Sequence, residues 1–157
     1  MTMKVRTAGA VQTITAAKVK QSGVERTVRS VKVMDGGTLR TVATFAPPMT
    51  LSVSPTTVSG TASSGSAVTV TTTTTTATPS GGSAPYTYAW SFVSKSGGNT
   101  PTALSPTFAT SAFQQTNVAA LDSNTAVFRC TVTDSFGTTA TADVNLAFVN
   151  FGASGGL

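Results

Sequence analysis

Between residues 126 and 148 apolar and polar positions alternate with a period of two, broken once. Phe128, Cys130 and Val132 share one parity, with Arg129, Thr131 and Thr133 on the other. After Asp134-Ser135-Phe136-Gly137 the pattern resumes, setting Ala140, Ala142, Val144, Leu146 and Phe148 against Thr139, Thr141, Asp143 and Asn145. Period two on both arms of a short polar, glycine-ended turn predicts a β-hairpin with one buried face. An apolar inner set and a Thr-rich outer set mark a sheet that packs on a second sheet and meets water on its other side.

Upstream the same logic predicts three more strands. Met49, Leu51 and Val53 alternate until Ser54-Pro55 stops them. Residues 60–66 read as a small-residue turn, and Val68 and Val70 open a second strand that runs through the threonines to position 76. Thr is β-branched strand filler there, since it continues from alternating valines. Residues 79–83 read as a turn into the third strand, where Tyr88, Trp90 and Phe92 form one face. Residues 95–101 read as a glycine-containing loop, and Leu104, Phe108 and Phe113 punctuate one or two further short strands. No segment carries a helical period. The prediction is an all-β chain.

The first 45 residues follow a different rule. Val5, Val19 and Val33 stand 14 apart, as do Gly9, Gly23 and Gly37. In register the units read KVRTAGAVQTITAA, KVKQSGVERTVRSV and KVMDGGTLRTVATF, each with Lys-Val first, Gly sixth, Thr tenth and Ile or Val eleventh. Five columns in step make this an internal repeat. Each unit reads as strand, glycine turn, strand, and each is too small to bury its own apolar residues. Ala46-Pro47-Pro48 breaks the ladder and forms a stiff joint. The predicted organisation is a three-unit basic β-hairpin repeat at 1–46, a β-sandwich at 47–149 and a Gly-rich tail at 150–157.

Charge sharpens the division. Lys4, Arg6, Lys18, Lys20, Arg26, Arg29, Lys32 and Arg40 face only Glu25 and Asp35 before Ala46, a net +6. Beyond it Lys95 and Arg129 face Asp122, Asp134 and Asp143, a net −1. The front is therefore suited to an acidic partner, with Lys18, Lys20, Arg26, Arg29, Lys32 and Arg40 as the candidate docking residues. Phe45 is the only aromatic in the front, which leaves no stacking platform and argues against nucleic acid.

Chemistry is sparse. The chain has no histidine, so a Ser-His-Asp triad, a Cys-His pair and a His-based metal site are excluded. The single cysteine, Cys130, falls on the inward parity and reads as a buried structural thiol. Asp134 opens a glycine-ended turn, where satisfying turn amides is the expected role. We expect no enzyme, no cofactor and no metal. The N-terminal MTMKVRTAGAVQT has no apolar core of a signal peptide, and no apolar run reaches the length of a membrane span.

Pro85-Tyr86-Thr87-Tyr88-Ala89-Trp90 and Phe128-Arg129-Cys130-Thr131-Val132-Thr133-Asp134 give residues 49–149 a resemblance to immunoglobulin-like modules, including the polycystic-kidney-disease type. The resemblance implies a sandwich with Trp90 at its centre and Phe128, Cys130, Val132, Val144 and Leu146 around it. This chain departs from the pattern in two places: no partner cysteine stands near Val68 and Val70, and Phe128 takes the tyrosine-corner position. With the repeat GVERTVRSVKVMDGGTLRTV ahead of it, the whole resembles small virion proteins of tailed bacteriophages. That resemblance implies a structural protein made in the host cytoplasm and built into the virion. It would dock on an acidic surface of other virion proteins, form a homo-oligomer and make at most weak contact with host glycans. The tail tip, baseplate or fibre base is the expected seat, with capsid decoration and a bacterial surface-adhesion module as the alternatives.

Overall fold

A computed structural model of the protein describes the backbone of residues 3–7, 10–14, 17–21, 24–28, 30–35, 37–44 and 48–153. The chain divides into two compact units, Met1–Pro48 and Met49–Leu157. Every element among the described residues is a strand.

The front unit is three hairpins: β1 (Met3–Thr7) with β2 (Ala10–Ile14), β3 (Ala17–Gln21) with β4 (Val24–Val28), and β5 (Ser30–Asp35) with β6 (Thr38–Thr44). Each is an antiparallel two-stranded sheet of its own among the described residues. The third turn depends on Gly37, whose φ of 81° lies in the left-handed region open to glycine.

The second unit is an immunoglobulin-like β-sandwich. Its strands are β7 (Met49–Ser54), β8 (Thr57–Ala62), β9 (Val68–Thr71), β10 (Thr75–Gly81), β11 (Thr87–Ser96), β12 (Thr102–Ala103), β13 (Thr110–Ser111), β14 (Phe113–Val118), β15 (Ser123–Thr133) and β16 (Thr139–Asn150). One layer is the four-stranded sheet β11-β15-β16-β8; the other consists of the three-stranded sheets β13-β10-β7 and β12-β14-β9. All neighbours are antiparallel except β8, which lies parallel to β16. Trp90, Phe128, Cys130, Val132, Val144 and Leu146 are buried in one cluster with Val58, Val70, Phe113 and Phe148. Phe113 of the second layer ties it together, edge-on to Trp90 at 5.5 Å and tilted on Phe128 at 4.8 Å.

Several boundaries differ from those read off the sequence. Positions 60–62, expected in a turn, belong to β8, because Gly60 lets this strand press against the backbone carbonyl of Thr71, where a Cβ has no room. The predicted second strand is two strands, β9 and β10, with a change of sheet at residues 72–74. Thr72 and Thr75 are buried at this crossing. Phe113 N donates to the Thr72 hydroxyl at 3.0 Å, and Thr75 Oγ1 donates to Pro55 O at 2.7 Å. β10 continues through Pro79 to Gly81, and β11 runs to Ser96, so both expected turns start later. Three short strands, not one or two, fill the middle section. Leu104 and Phe108 are exposed.

β16 also passes the predicted domain end by one residue, and that residue matters. Asn150 is 0 % exposed. Its Oδ1 accepts from Ser64 N at 2.9 Å and Gly152 N at 3.2 Å, and its Nδ2 donates to Ser66 O at 3.1 Å and Val118 O at 3.2 Å. All four hydrogen-bonding positions of the amide are filled. Asn150→Ala strands several buried groups at once and should lower stability by about 3 kcal/mol, read as a fall in the urea midpoint with an unchanged slope.

Candidate functional site

From the first lysine to the turn the registers are the same in all three hairpins, and before it the third is shifted by one residue between Val31 and Lys32. Lys4 pairs with Thr13, Lys18 with Thr27 and Lys32 with Thr41. One rung on, Val5 pairs with Gln12, Val19 with Arg26 and Val33 with Arg40. Each 14-residue unit thus places its first lysine at an equivalent rung. Candidate docking residues Lys18, Lys20 and Lys32 stand opposite Thr27, Glu25 and Thr41, whereas Arg26 and Arg40 occupy the alternate rungs. Lys18 and Lys20 thus share one rung parity in the second hairpin, and Arg26 and Arg40 take the other. Lys32 is exposed. Arg29 lies outside the described residues, as do the side chains of Lys18, Lys20, Arg26 and Arg40.

In the sandwich each aspartate has a local partner. Asp134 Oδ1 accepts from Phe136 N at 2.9 Å and Thr138 N at 2.8 Å, and its Oδ2 accepts from Ser83 N at 3.1 Å. Burial pushes this carboxyl's pKa up, and the hydrogen bonds from Thr138, Phe136 and Ser83 outweigh that and hold it below the ordinary value. Asp143 takes a two-point ion pair from Arg129, Nε–Oδ1 at 2.7 Å and Nη2–Oδ2 at 2.8 Å. The hydrogen bond from Arg129 lowers the Asp143 pKa in turn. Asp122 accepts from Ser123 N and from Asn124 Nδ2. Asp122 and Asp134 flank the two ends of the 11-residue β15, roughly 40 Å apart at strand rise, so the pair cannot converge on one cation or one sugar bond.

The Cys130 thiol is buried and unpaired. Burial raises its pKa to about 11, against a smaller opposing hydrogen bond with the Ala89 backbone. At neutral pH it is a neutral apolar group, not a nucleophile.

An open trough of about 490 Å³ crosses the outer face of the four-stranded sheet. Thr57, Ser94, Ser96, Thr125 and Asn145 line it with hydroxyls and an amide, and Lys95 is the one ionisable side chain on its walls. No carboxylate lines it, and its hydroxyls and amide can hydrogen-bond a polar ligand. Reading along the strands did not reveal it, because its residues come from four strands and meet only through the ladder registers.

No protein-family model matches the chain, and no curated protein does. Among solved structures it is similar to an ASH / PapD-like domain of human CEP192, at 6% identity and a TM-score of 0.48, over 66% of this chain and 87% of that one. A conjugative transposon lipoprotein from Bacteroides eggerthii aligns at 16% identity and a TM-score of 0.34, over 63% of this chain and 96% of that one.

Two outcomes follow from the buried groups. A thiol reagent such as Ellman's should leave the native chain unmodified and label one equivalent after denaturation; rapid native labelling would contradict the burial of Cys130. Because the folded pKa of Asp134 lies below its unfolded value, its contribution to stability is complete above the ordinary carboxylate range and is lost as pH falls through the folded pKa. Asp134→Asn should therefore lower stability at pH 7 and flatten its dependence on pH in the acid range, measured by urea titrations at several pH values.

Proposed function

We propose that this chain is a non-enzymatic structural protein of a tailed-phage virion, seated at the tail tip, baseplate or fibre base. It docks through the basic front and carries the immunoglobulin-like sandwich outward. The observation that supports this reading is the likeness of the three hairpins from the first lysine to the turn: a lysine opposite a threonine each time, and a net +6 over the unit. A surface that presents acidic groups at regular intervals matches such a repeat. Attraction of this kind weakens as salt shortens the Debye length from roughly 10 Å at 0.1 M to 3 Å at 1 M. The sandwich offers hydroxyls and an amide around its trough, the chemistry that meets sugar hydroxyls in weak contacts with host glycans.

Reversing Arg26 and Arg29 to glutamate should abolish incorporation of the chain into progeny particles, measured by immunoblotting of purified virions. Fluorescence of Trp90, the one tryptophan, reports that the sandwich remains folded in the variant. Incorporation at the wild-type level overturns docking by charge. Antibody label at the head instead of the tail moves the seat to capsid decoration.

A further inference from the structure

The ladder registers build the trough on the outer face of the four-stranded sheet. Ser94, Val127, Asn145 and Thr57 follow one another across β11, β15, β16 and β8, and Ser96, Thr125 and Ala147 form the next outward row. Neighbours within a row stand about 4.8 Å apart and the two rows about 6.8 Å apart at sheet spacing. Val127 and Ala147, small and half-buried, make the floor, while Thr57, Ser94, Ser96, Thr125 and Asn145 are exposed around it. Among the described residues none of these five side chains is engaged in a hydrogen bond within the protein. The volume of about 490 Å³ lies in the range of roughly 300–1,000 Å³ usual for small-molecule sites.

Lys95 and Arg129 are the only basic residues beyond Ala46, and both are engaged. Lys95 lies along the trough wall with its ammonium folded onto the carbonyls of Gly97 and Gly98. Arg129 and Asp143, the next outward rung beyond Val127 and Asn145, hold each other by two hydrogen bonds. A phosphate or carboxylate therefore meets no uncommitted cation in the sandwich. A fatty chain meets only a valine and an alanine, too little apolar area to hold it. An added peptide strand has no backbone to pair with on the floor, because β15 and β16 have neighbours on both sides. A neutral sugar matches what is left: hydroxyls that donate and accept, around C–H groups that rest on small apolar residues. We infer that the trough binds a neutral hexose unit, with the Asn145 amide and the Thr57 hydroxyl, side by side on β16 and β8, gripping two of its hydroxyls. This rests on the glycan contact proposed above and narrows it to uncharged sugars.

The full chain is titrated with the methyl glycosides of glucose, galactose and mannose and followed by amide NMR. The Asn145 side-chain signals and the backbone signals of Thr57, Thr125 and Ala147 should move in a saturable way, with a millimolar Kd for at least one glycoside. Asn145→Ala should weaken that affinity about tenfold, and Thr57→Val by a smaller factor, as expected for lost hydrogen bonds. Both side chains are exposed, so Trp90 fluorescence should be unchanged in the two variants. No saturable shift with any of the three glycosides, or shifts that survive Asn145→Ala, overturn the site. A methyl glucuronide that binds as tightly as the best neutral glycoside overturns the restriction to uncharged sugars and leaves glycan contact standing. Virion incorporation of the front variants is read independently of either result, so docking and sugar binding fail separately.

Discussion

Eleven consecutive rungs join β15 to β16, from Ser123–Val149 to Thr133–Thr139. The ladder has no bulge, so side-chain parity never slips along its length, and a single face of both strands stays turned to the interior. Ala126, Phe128, Cys130 and Val132 are buried from one strand and Val144, Leu146 and Phe148 from the other. The outward rungs include Arg129–Asp143, directly opposite and ion-paired. A slip of one residue in β15 would carry Arg129 inward, away from this partner and into the apolar cluster. An exposed ion pair adds little to stability, but the penalty for burying its charges makes every slip by an odd number of residues costly. β11 and β8 then add to the two sides of a ladder whose inner face is already determined.

Apolar packing sets which face is inside, but it does not position the ends. Two buried polar side chains do that. At the β15–β16 turn, Asp134 collects amides from Phe136 and Thr138 and reaches across to Ser83, which tethers the connection between β10 and β11. At the far pole Asn150 binds the turn after β8, the end of β14 and the chain beyond β16. Hydrogen bonds are directional and expensive to leave unmade when buried. Each pole therefore has a definite arrangement where packing alone would tolerate several. Cys130 is a free thiol that lies with Trp90 and Phe113 in the same buried cluster.

The ladder was legible in the sequence because period two survives intact in it, and the front repeat because its columns recur every 14 residues. What escaped follows a different rule. β8 turns inward only Val58, Gly60 and Ala62, too small a load to make an alternating apolar signal. The change of sheet after β9 is made by buried threonines whose hydroxyls are satisfied by distant backbone, and nothing local distinguishes them from Thr71 or Thr73 on the surface. Phe92 shares the parity of Trp90, yet it is partly exposed because β11 ends the strand order, a property of topology that no single strand encodes. The candidate docking residues were legible as charge. Their division between alternate rungs needed the hairpin registers.

The two units put charge and apolar burial in different places. Eight of the ten basic residues stand before Ala46, giving that stretch a net +6 whose field reaches about a Debye length and shortens in salt. The sandwich carries a net −1, and its Arg129–Asp143 ion pair is exposed and adds little to stability. Its stability rests instead on the buried apolar cluster and on the satisfied polar side chains at its two poles. Rising ionic strength therefore weakens the front's attraction for opposite charge while leaving the forces that hold the sandwich together largely unchanged.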